Sequence, residues 1–152
     1  MSQDSDVLRA GFDLGFTYTR STGPVIGQFL TSLRDRQMTG IKGSAGQVIC
    51  PPVEYDPKTA DELTEMVDLA ETGTVKGWSW VNVPGAKHHL DKPFAWALIQ
   101  IDGADTTLLH MVDAGSEDSM TTGMRVKVRW AEETRGFITD IACFEPLAAD
   151  QA

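Results

Sequence analysis

The chain has 152 residues, enough for one domain with its own core or for one domain with a small addition. Its 13 basic and 22 acidic side chains leave a net charge of −9, which disfavours a general nucleic-acid-binding surface. The two cysteines, Cys50 and Cys143, are too few for a disulfide framework or a four-cysteine zinc site.

Membrane insertion and export are not expected. The longest apolar run covers residues 94–99, far short of the roughly 20 residues that a membrane span needs. Residues 1–11 show no basic region followed by an apolar run, so no secretory signal is expected and the chain is predicted to be cytoplasmic. Both cysteines are therefore interpreted as reduced thiols that act as small buried hydrophobic side chains.

An aromatic segment and a helix precede the rest of the chain. Apolar residues at positions 12, 14, 16 and 18 have a period of two, which predicts a short strand or an extended arm. Ser21 or Thr22 can cap a helix that begins at Pro24 and continues to about residue 35, with its apolar side chains on one face. We expect a partner interface, with packing on this domain as the alternative, to include four aromatic side chains: Phe12, Phe16, Tyr18 and Phe29.

Residues 39–62 are predicted to form a loop. Glycine at positions 40, 43 and 46 and proline at 51, 52 and 57 interrupt any long regular element. A structureless stretch of this length is uncommon inside a compact domain. The segment is therefore either functional or the remnant of something smaller.

From residue 63 onwards the pattern is that of β-strands separated by turns. The predicted strands cover residues 63–69, 73–83, 94–101, 106–112, 124–130 and 137–144. The third is apolar over six residues, so we expect a central strand buried on both faces. Five or six strands at this spacing behind one helix predict a small β-barrel, since closure removes the sheet edges.

No catalytic motif is visible in the sequence. His88 and His89, followed by Asp91, are a weak metal signal, and we interpret them as part of a solvated loop. His110 is interpreted as a half-buried, hydrogen-bonded histidine. The alternatives are a polar group at a binding surface or, with Asp113, the catalytic pair of a small hydrolase.

One basic stripe stands out in this acidic chain. Arg125, Lys127 and Arg129 alternate with apolar residues, so the three share one face of a strand. Such a stripe can bind phosphate groups. The alternative is an ordinary solvated strand face.

The proline-rich loop resembles part of a known family, the zinc-ribbon/OB-fold acyl-CoA-associated proteins of domain of unknown function 35 (DUF35). Gly46, Val48, Pro51, Pro52 and Pro57 stand at the framework positions of the ribbon motif. The four positions of the zinc-binding cysteines carry Lys42, Ala45, Asp56 and Thr59. The segment therefore resembles a degenerate ribbon, and we expect no zinc and no other cofactor.

The second half of the chain also resembles this family, so that the likeness covers about residues 22–147. It rests on Gly73-Thr74-Val75 with Trp78, the Pro93–Ile99 segment, Gly123-Met124 with Val126 and Val128, and Phe144-Glu145-Pro146. The resemblance implies a mainly β protein: an N-terminal arm (1–20), a helix with a degenerate zinc-ribbon-like segment (21–62), a five-stranded OB-fold barrel (63–147) and a tail (148–152).

The resemblance implies an obligate partner of thiolases or of the sterol-carrier-protein-2 thiolase-like aldolases of steroid side-chain metabolism. The resemblance implies a non-catalytic subunit that completes the acyl-CoA channel and stabilises a hetero-oligomer. The basic stripe would then hold the CoA phosphates. An OB-fold module that binds single-stranded nucleic acid is the alternative, since such barrels stack bases on aromatics in a positive groove.

Overall fold

The computed structural model describes residues 10–148 and contains one α-helix and eight strands. The elements are α1 (Pro24–Arg34), β1 (Thr39–Lys42), β2 (Val48–Ile49), β3 (Met66–Asp68), β4 (Thr72–Val81), β5 (Phe94–Ile101), β6 (Leu108–Val112), β7 (Arg125–Trp130) and β8 (Ile141–Pro146). Short 3₁₀ turns cover Glu117–Ser119 and Ile138–Asp140. Residues 1–9 of the predicted arm and residues 149–152 of the predicted tail lie outside the described residues.

The last five strands close a barrel in the order β4-β5-β6-β8-β7. All neighbours are antiparallel except β6 and β8, which run parallel. Alternate residues of β5 face the interior, where Ala95, Ala97, Ile99 and Ile101 are buried. This is the OB-fold barrel that the sequence predicts, and the mainly β fold class is confirmed.

The outer face of β5 differs from the prediction at one end. Phe94 is buried there against Met111 and Cys143, but Leu98 is 45% exposed. Its cross-strand partner on β6, Leu109, is 58% exposed. An apolar run in the sequence does not show whether another element covers the outer face of a strand. In β5 the outer face is covered only near Phe94.

The segment predicted as a loop contains two short strands. β1 pairs with β2 and β3 in a small antiparallel sheet of order β2-β1-β3, and Tyr55 forms a single bridge with Glu62. Gly40 lies within β1. A Cβ atom at this position would come 2.9 Å from the carbonyl oxygen of Ile49, which is too close for any other residue without a shift of the backbone. This glycine permits close strand packing, which the sequence pattern could not distinguish from a turn.

Helix α1 connects the two sheets. Val25 packs with Ile41 in the small sheet, whereas Phe29 and Leu33 belong to the core that continues into the barrel. The predicted cap from Ser21 or Thr22 is wrong.

The first turn of α1 is capped from a distant part of the chain. The Glu54 carboxylate accepts hydrogen bonds from the backbone N–H groups of Val25, at 3.1 Å, and Ile26, at 3.0 Å. A carboxylate at this end also interacts favourably with the helix dipole. Gly23 suits this position because its φ of 81° lies in the left-handed region, which residues with a Cβ rarely adopt.

The last strand begins later than predicted. The Asp140 carboxylate accepts hydrogen bonds from the backbone N–H groups of Arg135, Gly136 and Phe137, which holds residues 135–140 in a compact turn. The extended backbone of β8 therefore starts at Ile141. Within residues 10–148, no helix is long and apolar enough to cross a membrane.

Candidate functional site

The aromatic arm extends away from the rest of the molecule. Residues 10–23 form neither helix nor strand, and Phe12, Leu14, Phe16 and Tyr18 are 74–86% exposed. The rings of Phe16 and Tyr18 lie 6.1 Å apart and contact each other. Four large apolar side chains on one segment are thus available to a partner, which is an unusual density for a monomer surface.

The fourth predicted interface residue has a different position. Phe29 is 4% exposed and packs in the core with Leu33 and Met38. Its ring is therefore occupied by this domain and cannot contact a partner. Helical periodicity identified the apolar face of α1, but only the packing shows that this face is covered internally.

The four positions that replace the zinc ligands lie in the small-sheet segment and do not form a metal site. The Lys42 ammonium pairs with Glu65 at 3.2 Å, and Ala45 carries no ligand atom. The Thr59 hydroxyl donates to the Asp61 carboxylate at 2.7 Å. No group of three or more histidine, cysteine or acidic side chains within residues 10–148 could hold a metal ion. These residues do not fit zinc, which prefers thiolate and imidazole ligands.

The Asp56 carboxylate occupies the centre of this segment instead. It accepts hydrogen bonds from the backbone N–H groups of Ser44, at 2.9 Å, Lys58, at 2.8 Å, and Thr59, at 3.2 Å. The Gln47 side-chain amide donates a fourth, at 3.2 Å. Asp56 is 3% exposed, and the hydrogen bonds from Lys58 and Ser44 hold the pKa of its carboxyl below the ordinary value. The carboxylate thus joins the two turns that flank the ligand positions.

Each cation of the basic stripe contacts a carboxylate. The Arg125 guanidinium binds both oxygens of Asp102, with Nη1 to Oδ1 at 2.7 Å, and also donates to the Thr74 hydroxyl. Lys127 lies 3.4 Å from Glu145. The hydrogen bonds from Arg125 hold the pKa of Asp102 below its ordinary value. The stripe exists as predicted, but its charge is largely balanced by its own neighbours.

Arg129 belongs to a second ion-pair cluster around Asp113. Asp113 is 8% exposed and contacts Arg129 at 2.9 Å and Lys92 at 2.7 Å. Burial raises the pKa of this carboxyl, but the hydrogen bonds from Lys92 and Arg129 outweigh that effect and the pKa is lowered. Asp113 is therefore an ionised partner of two cations and forms no hydrogen bond with His110. The arrangement gives no support to a His110–Asp113 hydrolase.

The three histidines do not come together in one site. His88 accepts a hydrogen bond from the backbone of Gly85 at 3.0 Å, and its ring lies edge-on to Phe94 at 5.1 Å. His89 is exposed, while His110 is 6% exposed and lines a cavity in the barrel wall. The sequence predicts a hydrogen-bonded His110, but its Nδ1 has no partner among the described residues.

The two cysteines are core residues, as predicted. Both are fully buried and free. Burial raises the pKa of the Cys50 thiol to about 12 and that of Cys143 to about 11. A thiol that stays protonated is a poor nucleophile, so neither residue is a candidate for catalysis.

Sequence reasoning overlooked two carboxylates and one cavity. Glu54 and Asp56 carry no motif, and their importance comes from the backbone N–H groups that the fold brings to them. The cavity beside His110 is formed by residues from separate segments. A polar residue in an otherwise apolar strand, His110 in β6, was the only available signal for it.

Comparisons with known proteins agree with this architecture. Residues 66–131 match the family model described as ChsH2, C-terminal OB-fold domain. A solved structure described as an Ltp2-ChsH2(DUF35) aldolase superposes with a TM-score of 0.59 at 19% identity, covering 78% of this chain and 91% of that one.

A second solved structure is a DUF35-family protein of unknown function from Sulfolobus solfataricus. It has a TM-score of 0.56 and 22% identity, and the match covers 70% of this chain and 78% of the other. No curated protein matches the chain. At these identities the solved structures establish a shared fold.

Proposed function

Because this chain carries an OB-fold domain of the DUF35 family, we propose that it is a non-catalytic accessory subunit of a thiolase-superfamily enzyme. The partner is of the thiolase or steroid side-chain aldolase type and acts on acyl-CoA thioesters. This subunit completes the acyl-CoA channel and stabilises the complex, which the proposal assigns to the cytoplasm.

The observation that carries the proposal is the match of residues 66–131 to the ChsH2 C-terminal OB-fold domain. One solved structure that covers 78% of the chain is described as an Ltp2-ChsH2(DUF35) aldolase, which names two components.

The exposed arm supports a role in assembly. Phe12, Phe16 and Tyr18 present large aromatic surfaces with little contact to this domain. Aromatic side chains that fill pockets on a partner provide much of the binding energy in protein interfaces. We therefore assign these three residues to the partner interface.

Contact of the basic stripe with the CoA phosphates is a finer part of the proposal. Phosphate groups would have to compete with Asp102, Asp113 and Glu145 for the three cations. Lys127 has the weakest existing contact, 3.4 Å to Glu145, so it is the residue most readily available to a phosphate.

Nucleic-acid binding has less support. A single-strand groove needs positive charge along the backbone path. The net charge is −9, and the one dense basic stripe pairs with carboxylates.

The test of the proposal is co-expression with a thiolase-like protein encoded by a neighbouring gene. We expect the two chains to copurify, to elute as one hetero-oligomer with a defined mass by light scattering, and to process an acyl-CoA that the partner alone processes poorly. A thiolase-like protein from an unrelated gene cluster is the control. Separate elution of the cognate pair would contradict the proposal, and salt-sensitive oligonucleotide binding would favour the alternative.

A further inference from the structure

A cavity of about 320 Å³ opens in the barrel wall between β5, β6 and residues 138–141. It exists because β6 and β8 pair only at Val112 and Phe144, so the two strands diverge beyond that point. The wall is mostly apolar, with three polar residues, and is formed by His89, Trp96, Leu109, His110, Met111, Ile138, Thr139 and Ile141. Its volume lies at the lower end of the range of about 300–1,000 Å³ for small-molecule sites.

His110 is the buried polar residue of this wall, whereas His89 and Thr139 are exposed at its surface. Its ring is 94% buried and lies edge-on to Phe144, with 5.6 Å between the ring centroids. Nδ1 is buried and has no hydrogen-bond partner among residues 10–148. Burial lowers the pKa of the imidazole, and the backbone groups of Met111 and Ile138 oppose that shift only in part. The ring is therefore neutral at pH 7.

The chemistry of the cavity selects its ligand. A neutral imidazole carries one donor and one acceptor nitrogen; Nδ1 has almost no accessible surface, so Nε2 is the nitrogen that a ligand hydroxyl can complement. No Asp, Glu, Lys or Arg side chain lines the wall, so an ionised group would lose its hydration without a carboxylate, ammonium or guanidinium partner, and charged ligands are disfavoured. Apolar side chains form the remaining surface and suit a hydrocarbon body.

We propose that this cavity binds the hydrocarbon part of a neutral, hydroxyl-bearing small molecule, with the hydroxyl hydrogen-bonded to His110. The site is formed by this chain alone. It does not depend on the proposed partner enzyme, so the two proposals can fail separately.

The experiment uses two probes with equal numbers of heavy atoms, phenol and toluene, titrated into the full chain with ¹³C-labelled Leu, Ile and Met methyl groups. We expect saturable NMR shifts at Leu109, Met111, Ile138 and Ile141. Phenol should bind about three- to ten-fold more tightly than toluene, because it alone can bond to His110.

Two variants locate the effect. His110→Phe keeps a ring in the wall but removes both nitrogens, so the preference for phenol should disappear while toluene still binds. Ile138→Trp enlarges a side chain that is 43% exposed and should block both probes. His88→Phe, which removes an imidazole outside the wall, should behave like the wild type.

Three results would overturn the proposal: no saturable shifts at these methyl groups, equal affinity for phenol and toluene in the wild type, or a phenol preference that persists in His110→Phe. The first two need only the wild-type chain, so they decide the question even if His110→Phe fails to fold.

Discussion

At the scale of single residues, two carboxylates stabilise the fold although neither belongs to a recognisable sequence motif. Glu54 caps α1 from 29 positions away in the chain, and Asp56 joins two turns through four hydrogen bonds. Buried N–H groups without acceptors are costly. The Asp56 carboxylate thus provides the acceptors for backbone N–H groups from both turns of this segment.

Removal of the Asp56 carboxylate should lower the melting temperature by several degrees, because Asp56→Ala leaves its donors without an acceptor. Asp56→Asn keeps one acceptor oxygen, so its melting temperature should lie between those of the wild type and Asp56→Ala. Glu62→Gln, at an exposed carboxylate of the same segment, is the control and should change little. Thermal unfolding of the four proteins at pH 7 makes this comparison, and equal melting temperatures for wild type and Asp56→Ala would contradict it.

The same residue predicts a pH dependence. The pKa of Asp56 is lowered in the folded protein, so its stabilising effect is complete above the unfolded-state pKa of about 4. The effect is lost as the pH falls through the lower, folded-state pKa. The gap in melting temperature between wild type and Asp56→Ala should therefore narrow below about pH 4. A gap that stays constant down to pH 2 would exclude this linkage.

The purified protein should carry no stoichiometric zinc. Lys42, Ala45, Asp56 and Thr59 do not provide a tetrahedral set of thiolate or imidazole ligands. Elemental analysis checks this directly. A variant with cysteine at all four positions (Lys42→Cys, Ala45→Cys, Asp56→Cys, Thr59→Cys) is the positive control and should bind about one zinc if the ribbon geometry is retained. About one zinc per wild-type chain would refute the prediction.

At the scale of elements, the arm and α1 have similar aromatic side chains and opposite environments. Phe12 and Phe16 are 86% and 76% exposed, whereas Phe29 is 4% exposed. The apolar face of α1 is covered because the helix lies between the small sheet and the barrel. Nothing in the described structure covers the arm.

This contrast predicts different defects for the two kinds of variant. Phe12→Ser with Phe16→Ser should weaken association with the partner enzyme and leave the free energy of unfolding unchanged. Phe29→Ala should lower that free energy by about 3–5 kcal/mol through a core cavity. Asp13→Ser with Thr17→Ser, at polar positions of the same arm, is the matched control. Denaturant titration and copurification measure both effects, and wild-type copurification of the Phe12/Phe16 variant would remove the arm from the interface.

At the scale of the whole molecule, the acidic surface contains a basic stripe held by its own carboxylates. Arg125→Ala or Arg129→Ala would leave Asp102 or Asp113 with fewer partners, so those variants change structure as well as charge. Lys127→Ala removes a single contact, of 3.4 Å to Glu145, so its effect reports mainly the loss of the positive charge. It is therefore the cleanest probe of CoA binding in the complex.

If the stripe holds the CoA phosphates, Lys127→Ala should raise the Michaelis constant for the acyl-CoA about ten-fold, since a charge-assisted contact is lost. The turnover number should change little, because the reacting thioester is distant from the phosphates. Lys76→Ala, at an exposed lysine of β4, is the control. Steady-state kinetics of the complex test this, and an unchanged Michaelis constant would leave the stripe a set of surface ion pairs.

The sequence by itself determined the helix, the approximate positions of the barrel strands and the basic stripe. These features depend on local periodicity and residue type, which neighbouring positions in the chain display. Only the tertiary structure showed that Phe29 is buried and that Leu98 is exposed. It also showed that Asp56 and Glu54 accept hydrogen bonds from backbone N–H groups distant in sequence, and that a cavity opens beside His110. Each of these depends on which segments meet in space, and a single sequence does not encode that pairing in any local pattern.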